Sequence, residues 1–240
     1  STLDNDLNIK GDKFVITGLQ QGEHSVDING DTTISGNWDF SKGKVTIDGN
    51  LKHTGGTVKC GGETLPVKGD FTDAGGYTDM NGVNITVNGD LNQTDGRILM
   101  NGGKLDITGN CNLAGKGTDS NGNVSWQGVC GDIEMRNAGD TLNIGKDFVV
   151  YGIYGSDGIQ ASAGQITVGG NVSGYKRFSL GGTNKITLTG KNVKVVMDDS
   201  QNCFGEFSYA GNDISWSGYL GISTLDNDLN IKGDKFVITG

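Results

Sequence analysis

The sequence predicts an all-β fold, a parallel β-helix (β-solenoid) with about 20 residues per coil. Three observations predict it. The pattern apolar-x-apolar-x-Gly-Asp/Asn recurs down the chain, and its clearest copies, VTIDGN (45–50), LPVKGD (65–70), ITVNGD (85–90) and LDITGN (105–110), stand 20 residues apart. Glycine supplies 43 of the 240 residues and proline one, and no stretch carries a helical period. Residues 223–240 repeat residues 1–18 letter for letter, 222 positions downstream, so the chain holds one long repeat (1–222) and the start of the next (223–240).

Further copies of the short pattern start at Leu7, Val26, Val124, Leu142, Ile166, Ile186, Phe207 and Leu229, which divides the long repeat into eleven coils. Their third positions, from Ile9 and Ile28 through Trp126 to Ile231, are apolar throughout. Alternation of apolar and other residues signals a strand, and Gly followed by Asp or Asn signals a turn. Glycine accepts backbone angles that other residues resist, and a short Asx side chain bonds turn backbone. Each coil therefore reads as a strand such as KLDIT (104–108), a Gly-Asx corner, and a second strand. That second strand opens on an apolar residue: Leu51, Phe71, Leu91, Cys111, Phe148 or Val172. A third segment such as RILMN (97–101) leads back to the next coil. The coil is taken as right-handed by analogy with solenoids of this coil length. Pro66 falls in an outward slot, where its missing N–H interrupts the ladder once. The weakest match to the pattern spans 109–143, and the long coil after Leu142 is expected to carry a small loop.

The corner residues Gly49, Asn50, Gly69, Asp70, Gly89, Asp90, Gly109 and Asn110 are expected to form a ladder along one edge, with Asp12 and Asp31 at its start. Two readings of the ladder stand: each Asx caps its own corner, or neighbouring carboxylates bind Ca²⁺ through oxygen. The nine-residue calcium-roll pattern is absent, which favours the structural reading. Cys111 and Cys130 each fall six positions after a strand start (Leu105, Val124), which would stack them in adjacent coils. There they form either a disulfide or two small buried side chains. Cys60 and Cys203 belong to distant coils. Zinc is not expected, with no CxxC and only His24 and His53 present.

Net charge is −9 with both signs interspersed, which argues against nucleic acid. No apolar run approaches a membrane span, and no cofactor motif appears. Asp198–Asp199 reads as a solvated turn, and no nucleophile or phosphate-cradling motif stands in its required context. No catalytic, metal or cofactor site is therefore expected. Ice binding needs Thr-x-Thr ladders, and only Thr187/Thr189 fits. The runs GDIEMRNAGDTLNIGKDFVVYG (131–152) and GTNKITLTGKNVKVVM (182–197) resemble repeats of large secreted β-solenoid surface proteins of anaerobic Gram-positive bacteria, similar in kind to filamentous-haemagglutinin-like adhesins. The resemblance implies an extracellular stalk, fibre or adhesin at the bacterial cell surface, and implies no catalytic residue.

Neither end reads as a capping coil, so the partner expected is the protein itself, head to tail. The last coil of one unit would pair with the first coil of the next, with Leu7, Ile9, Leu229 and Ile231 in the end-to-end contact coils, as tandem repeats or stacked chains, with lateral bundling open. The alternative is adhesion to glycans or proteins through a solenoid face, with Trp38, Trp216, Tyr219 and Tyr175 as candidate contacts.

Overall fold

Alternation turns every second side chain of a strand inward, and parallel stacking then seats the inward residues of successive coils on one another. The structure, a computed structural model, describes residues 1–62, 64–118, 124–128, 131–152, 158–176, 178–199, 202–211, 213–219 and 222–225. In the first strand of each coil the third-position residues are consecutive parallel partners: Ile9, Ile28, Ile47, Val67, Val87, Ile107, Ile144, Val168, Leu188 and Tyr209. Those from Ile28 to Leu188 are fully buried. The second strands stack as Thr32, Leu51, Phe71, Leu91, Cys111, Phe148, Val172, Val195 and Trp216. The third strands stack as Trp38, Val58, Thr78, Ile98, Ile133, Ile159 and Phe178.

This is a β-solenoid. All pairings in its main sheet are parallel, and no helix occurs among the described residues. Ten first-strand rungs bound nine turns, about 43 Å of axis at the ordinary ~4.8 Å strand spacing. One continuous apolar column fills the interior. Toward the C-terminal end it becomes aromatic. Phe178 meets Phe148 and Phe204 edge-on, with ring centroids 5.7 and 5.2 Å apart, and Phe204 meets Trp216 at 5.5 Å. Edge-to-face contacts of this kind place a positive ring edge on a negative ring face. At Pro66 the missing donor is visible: the pairing toward the preceding coil shrinks to Ile47↔Val67, whereas all of Leu65, Pro66 and Val67 pair with the following coil.

The coil count differs from the sequence reading. Leu105 is followed in the stack by Leu142, not by Val124. Val124–Gln127 instead pairs antiparallel with Gly115–Thr118. The two short spacings on either side of Val124 therefore belong to one long coil, and among the described residues of the unit the first-strand column holds ten rungs rather than eleven. The Val124 copy has the alternation and the glycine, but Val129 stands where the others carry Asp or Asn. A hairpin closed over a short loop costs less chain entropy than a further turn of the solenoid. In the preceding coil three residues, 94–96, cross from second to third strand, and here residues 114–131 make the same crossing before Asp132 pairs with Arg97.

Where both copies of the repeated segment are described, at 1–3 and 223–225, they also sit differently. Thr2 bridges to Gln20, at the end of a third strand, whereas Thr224 and Leu225 pair with Glu206 and Phe207 in the first-strand column. Ile222 lies over Phe204, and three residues separate each from Leu225 and Phe207, so this strand runs on without a corner. Leu7 and Ile9 pack partly buried against the core. Leu229 and Ile231 lie outside the described residues, as does the tip of the loop expected after Leu142 (153–157).

If 114–131 is an insertion in one coil, replacing it with the Thr-Asp-Gly crossing of 94–96 should preserve the solenoid. The expected outcome is an unchanged β-type circular dichroism spectrum and a single cooperative unfolding transition. Loss of that transition would mean that the hairpin is an integral rung.

Candidate functional site

The corner Asx residues stand in ten of the twelve copies of the pattern, and their geometry defines the site. A corner leaves backbone N–H groups pointing along the axis with no strand partner, and each needs an acceptor. The acceptor comes from the neighbouring coil. Asp31 Oδ1 accepts the Asn50 N–H at 2.8 Å, Asn50 Oδ1 that of Asp70 at 2.8 Å, and Asp70 Oδ1 that of Asp90 at 2.8 Å. The series continues through Asp90 to Asn110 at 2.7 Å, Asn110 to Asp147 at 3.2 Å, Asp147 to Asn171 at 2.8 Å and Asn171 to Lys194 at 2.8 Å. Each Asx thus caps the next coil's corner rather than its own. Asp12 stays outside the ladder, because the register shifts between Lys10 and Lys13 and puts Lys13 beside Asp31. Asn110 also donates its amide to both oxygens of Asp90, at 3.1 and 3.2 Å.

The ladder explains the glycines better than turn conformation does. Gly69, Gly89 and Gly109 do not take left-handed backbone angles. A Cβ on them would strike the ladder oxygen from the coil before: Asn50 Oδ1, Asp70 Oδ1 and Asp90 Oδ1. Glycine is required for close approach. Two donors of the ladder follow another residue: Asp147, after Lys146, has the longest bond, 3.2 Å, while Lys194, after Val193, keeps 2.8 Å.

Cys111 lies between Leu91 and Phe148 in the second-strand column and is a free, fully buried thiol. The strand start from which the position of Cys130 was counted, Val124, pairs with Thr118 and is not stacked on Leu105. Cys130 itself lies outside the described residues. Burial pushes the thiols of Cys60 and Cys111 well above the usual range, with Asp79 and Asp90 respectively adding to the effect. Cys203 is half-buried, with its Sγ 3.7 Å from the Leu180 carbonyl oxygen.

Of the candidate contact aromatics, Trp38 and Trp216 are buried in the core and therefore present no contact surface. The Trp38 indole N–H donates to Gln21 Oε1 at 3.1 Å, and that of Trp216 to the Tyr219 carbonyl at 3.0 Å. Tyr175 is half-exposed and stacks on Tyr151 with ring centroids 5.4 Å apart. Tyr219 is exposed. A surface concavity of about 430 Å³ opens where the ladder ends, lined by Asn171, Asn192, Lys194 and Asp213 among others.

Sequence reasoning missed two polar networks. On the outer face of the third strands, Asp132 accepts from Arg97 Nε at 3.0 Å and Gln160 Nε2 at 3.0 Å. Glu134 pairs with Arg97 Nη1 at 2.9 Å and Arg136 Nε at 3.0 Å. Burial pushes the Asp132 carboxyl up, against the pull of the Arg97 guanidinium. Inside the coils, His53, Asp73 and Gln93 occupy consecutive rungs of one column. Because these are single residues from separate coils, no local motif marks either network. Only the 20-residue offset from His53 to Asp73 to Gln93 hints at the inner one.

Among the described residues, no group of three or more His, Cys, Asp or Glu side chains is placed to hold a metal ion. Asp198 and Asp199 lie at the bend after Asn192–Met197, where burial and the neighbouring Asp199 push the Asp198 carboxyl up. No protein-family model, curated protein or solved structure matches the chain.

Two measurements check the site. Asp70→Ala removes the acceptor of the Asp90 N–H and should lower stability by about 1 kcal/mol, while Asp70→Asn, which keeps an acceptor, should stay near wild type. Gly89→Ala should cost about 1–3 kcal/mol through overpacking, against little change for Gly181→Ala, whose Cβ meets nothing within 4 Å. Chemical denaturation reads both. In native protein a thiol reagent should leave Cys60 and Cys111 untouched until the chain unfolds.

Proposed function

We propose that this chain is a structural segment of an extracellular rod, stalk or filament, built by continuous stacking of coils from one long repeat to the next. The observation that carries the reading is the letter-for-letter recurrence of residues 1–18 at 223–240, on a chain whose coils stack one above another. A solenoid rung bonds only to the rungs above and below it, so its length is not limited by a closed core. The Asx ladder supports the same reading, since each corner leaves one acceptor for the coil that follows. Placement at a bacterial surface rests on the resemblance noted from the sequence.

A second reading, adhesion through a solenoid face, is favoured by the half-exposed Tyr151–Tyr175 stack and by the concavity lined by Asn171, Val193, Lys194 and Ile214 among others. Planar aromatics beside polar groups suit glycans or protein loops. The two readings are compatible within one rod.

The mass of the natively produced protein, reduced and denatured, tests the rod. The expected result is a species far above 25.1 kDa that limited proteolysis shortens in steps of one long repeat. A single species near 25.1 kDa that stays monomeric at high concentration would sink the reading.

A further inference from the structure

The least expected feature of the interior is an ionisable pair where the neighbouring coils carry apolar side chains. His53 and Asp73 are buried, on adjacent rungs, with Nδ1 and Oδ1 3.5 Å apart. The rung before His53 in this column is Ile34. Gly55 and Thr78 fix the ring: Nε2 lies 3.1 Å from the Gly55 carbonyl, to which it donates, and Nδ1 lies 3.1 Å from Thr78 Oγ1. Asp73 Oδ2 accepts from Gln93 Nε2 at 3.0 Å, and Gln93 is anchored in turn on the Asp132 carbonyl at 3.0 Å. Asp73 Oδ1, by contrast, has no hydrogen-bond partner. Two glycines make the room. A Cβ on Gly76 would lie 2.6 Å from His53 Nε2, and one on Gly96 would lie 2.9 Å from Asp73 Oδ1.

A buried carboxylate with one oxygen unbonded and a neutral imidazole beside it would leave a bare charge inside a dry coil, which costs several kcal/mol. One proton between Oδ1 and Nδ1 removes both defects. It neutralises the interior as a whole, and it gives Oδ1 its missing partner.

We propose that His53 and Asp73 hold a single shared proton, and that this proton makes the pair an alkaline-sensitive lock on the rungs it joins. The proton belongs to the pair and is assigned to neither residue. The direction of the Asp73 shift agrees: burial pushes its carboxyl up, against the nearby His53 ring and the hydrogen bond from Gln93.

Other ionisable groups on the strands around the pair face outward. Asp31, Asp39, Lys52, Lys59 and Arg97 leave the coil on alternate positions, as do Tyr77, Asp79 and Asp95. Asp132 and Glu134 point to Arg97 and Arg136. The buried Cys60 stays a neutral thiol. None of these joins the pair by a hydrogen bond or ion pair.

The sign follows from proton counting. Unfolded, Asp and His titrate near ~3.9 and ~6.5. Between those values the unfolded chain carries one proton on the two groups, as the folded pair does, and stability is flat. Above ~6.5 the unfolded chain carries none while the folded pair keeps one. Stability therefore falls as pH rises, about tenfold in the folding constant per pH unit, until the folded pair releases its proton.

Denaturant unfolding of the full chain from pH 5 to 9, for wild type and Asp73→Asn, tests this. The amide accepts from Gln93 and donates to His53 Nδ1 without any proton to lose. Wild-type stability should be flat to about pH 6.5 and then fall. The variant, with a neutral buried His53, should gain stability up to about pH 6.5 and then level off. The ratio of wild-type to variant folding constants should therefore fall about tenfold per unit across the range. A ratio constant across the range overturns the proposal. Should the variant not fold, NMR of the labelled wild type at pH 6.5 decides. An imidazolium at His53 or a protonated carboxyl at Asp73 sustains the shared proton. A bare Nδ1 beside an ionised Asp73 overturns it.

Discussion

Coil-to-coil register is the constraint on which everything else in this protein depends. Each rung is held by hydrogen bonds to two neighbours, and a slip of one residue would turn its whole apolar set outward. The strands are short, some only three residues, so they offer few bonds with which to specify register. The Asx ladder supplies what they lack. Its oxygens reach across one rung at a fixed point of every coil, and from Asp31 to Lys194 the bonds stay between 2.7 and 3.2 Å. Glycine at the preceding position is the steric counterpart, since the ladder oxygen occupies the space a Cβ would need. Pattern, coil length and glycine content are therefore one requirement seen three ways.

With register fixed, the interior sorts itself by column. Aliphatic side chains fill most of the first column, the second and third carry aromatics among aliphatics, and Phe148, Phe178, Phe204 and Trp216 interlock across strands and rungs. The polar column at His53, Asp73 and Gln93 departs from this. It stands only because each member finds partners on the next rung and because Gly76 and Gly96 leave space. A misaligned coil would strand a carboxylate in an apolar interior, so the column penalises the wrong register more than it rewards the right one. The outer network of Arg97, Asp132, Glu134 and Gln160 ties rungs of the third strand in the same manner.

Insertions are tolerated only where they leave this register intact. The hairpin of 114–131 departs between a second and a third strand and returns to the expected partner, Arg97. A rod built in this way can carry excursions on its side without interrupting its axis, which suits a structural element that also presents surfaces. The proposed rod and the proposed adhesive face are thus compatible demands on one architecture.

Most of the fold was legible in the residues: the solenoid class, the three strands, the inward columns and the corner ladder all follow from an apolar alternation closed by Gly-Asx. These are properties of single coils, and each coil repeats them. What the tertiary structure alone decided concerns relations between coils. Val124–Gln127 carries the strand pattern, yet it folds back on Gly115–Thr118, because the choice between a hairpin and another rung depends on which partner is reachable. Leu3 and Leu225 have identical neighbours to the C-terminal side and still take different columns, since the coil beneath each sets its register. Trp38 and Trp216 read as surface candidates and proved to be core for the same reason. The pairing of His53 with Asp73 and the isolation of Cys111 were likewise settled by stacking. The sequence by itself determined what one coil is, through local alternation and corner chemistry. Only the tertiary structure determined which coils touch, because contacts some 20 residues or more apart depend on the length of every segment between them.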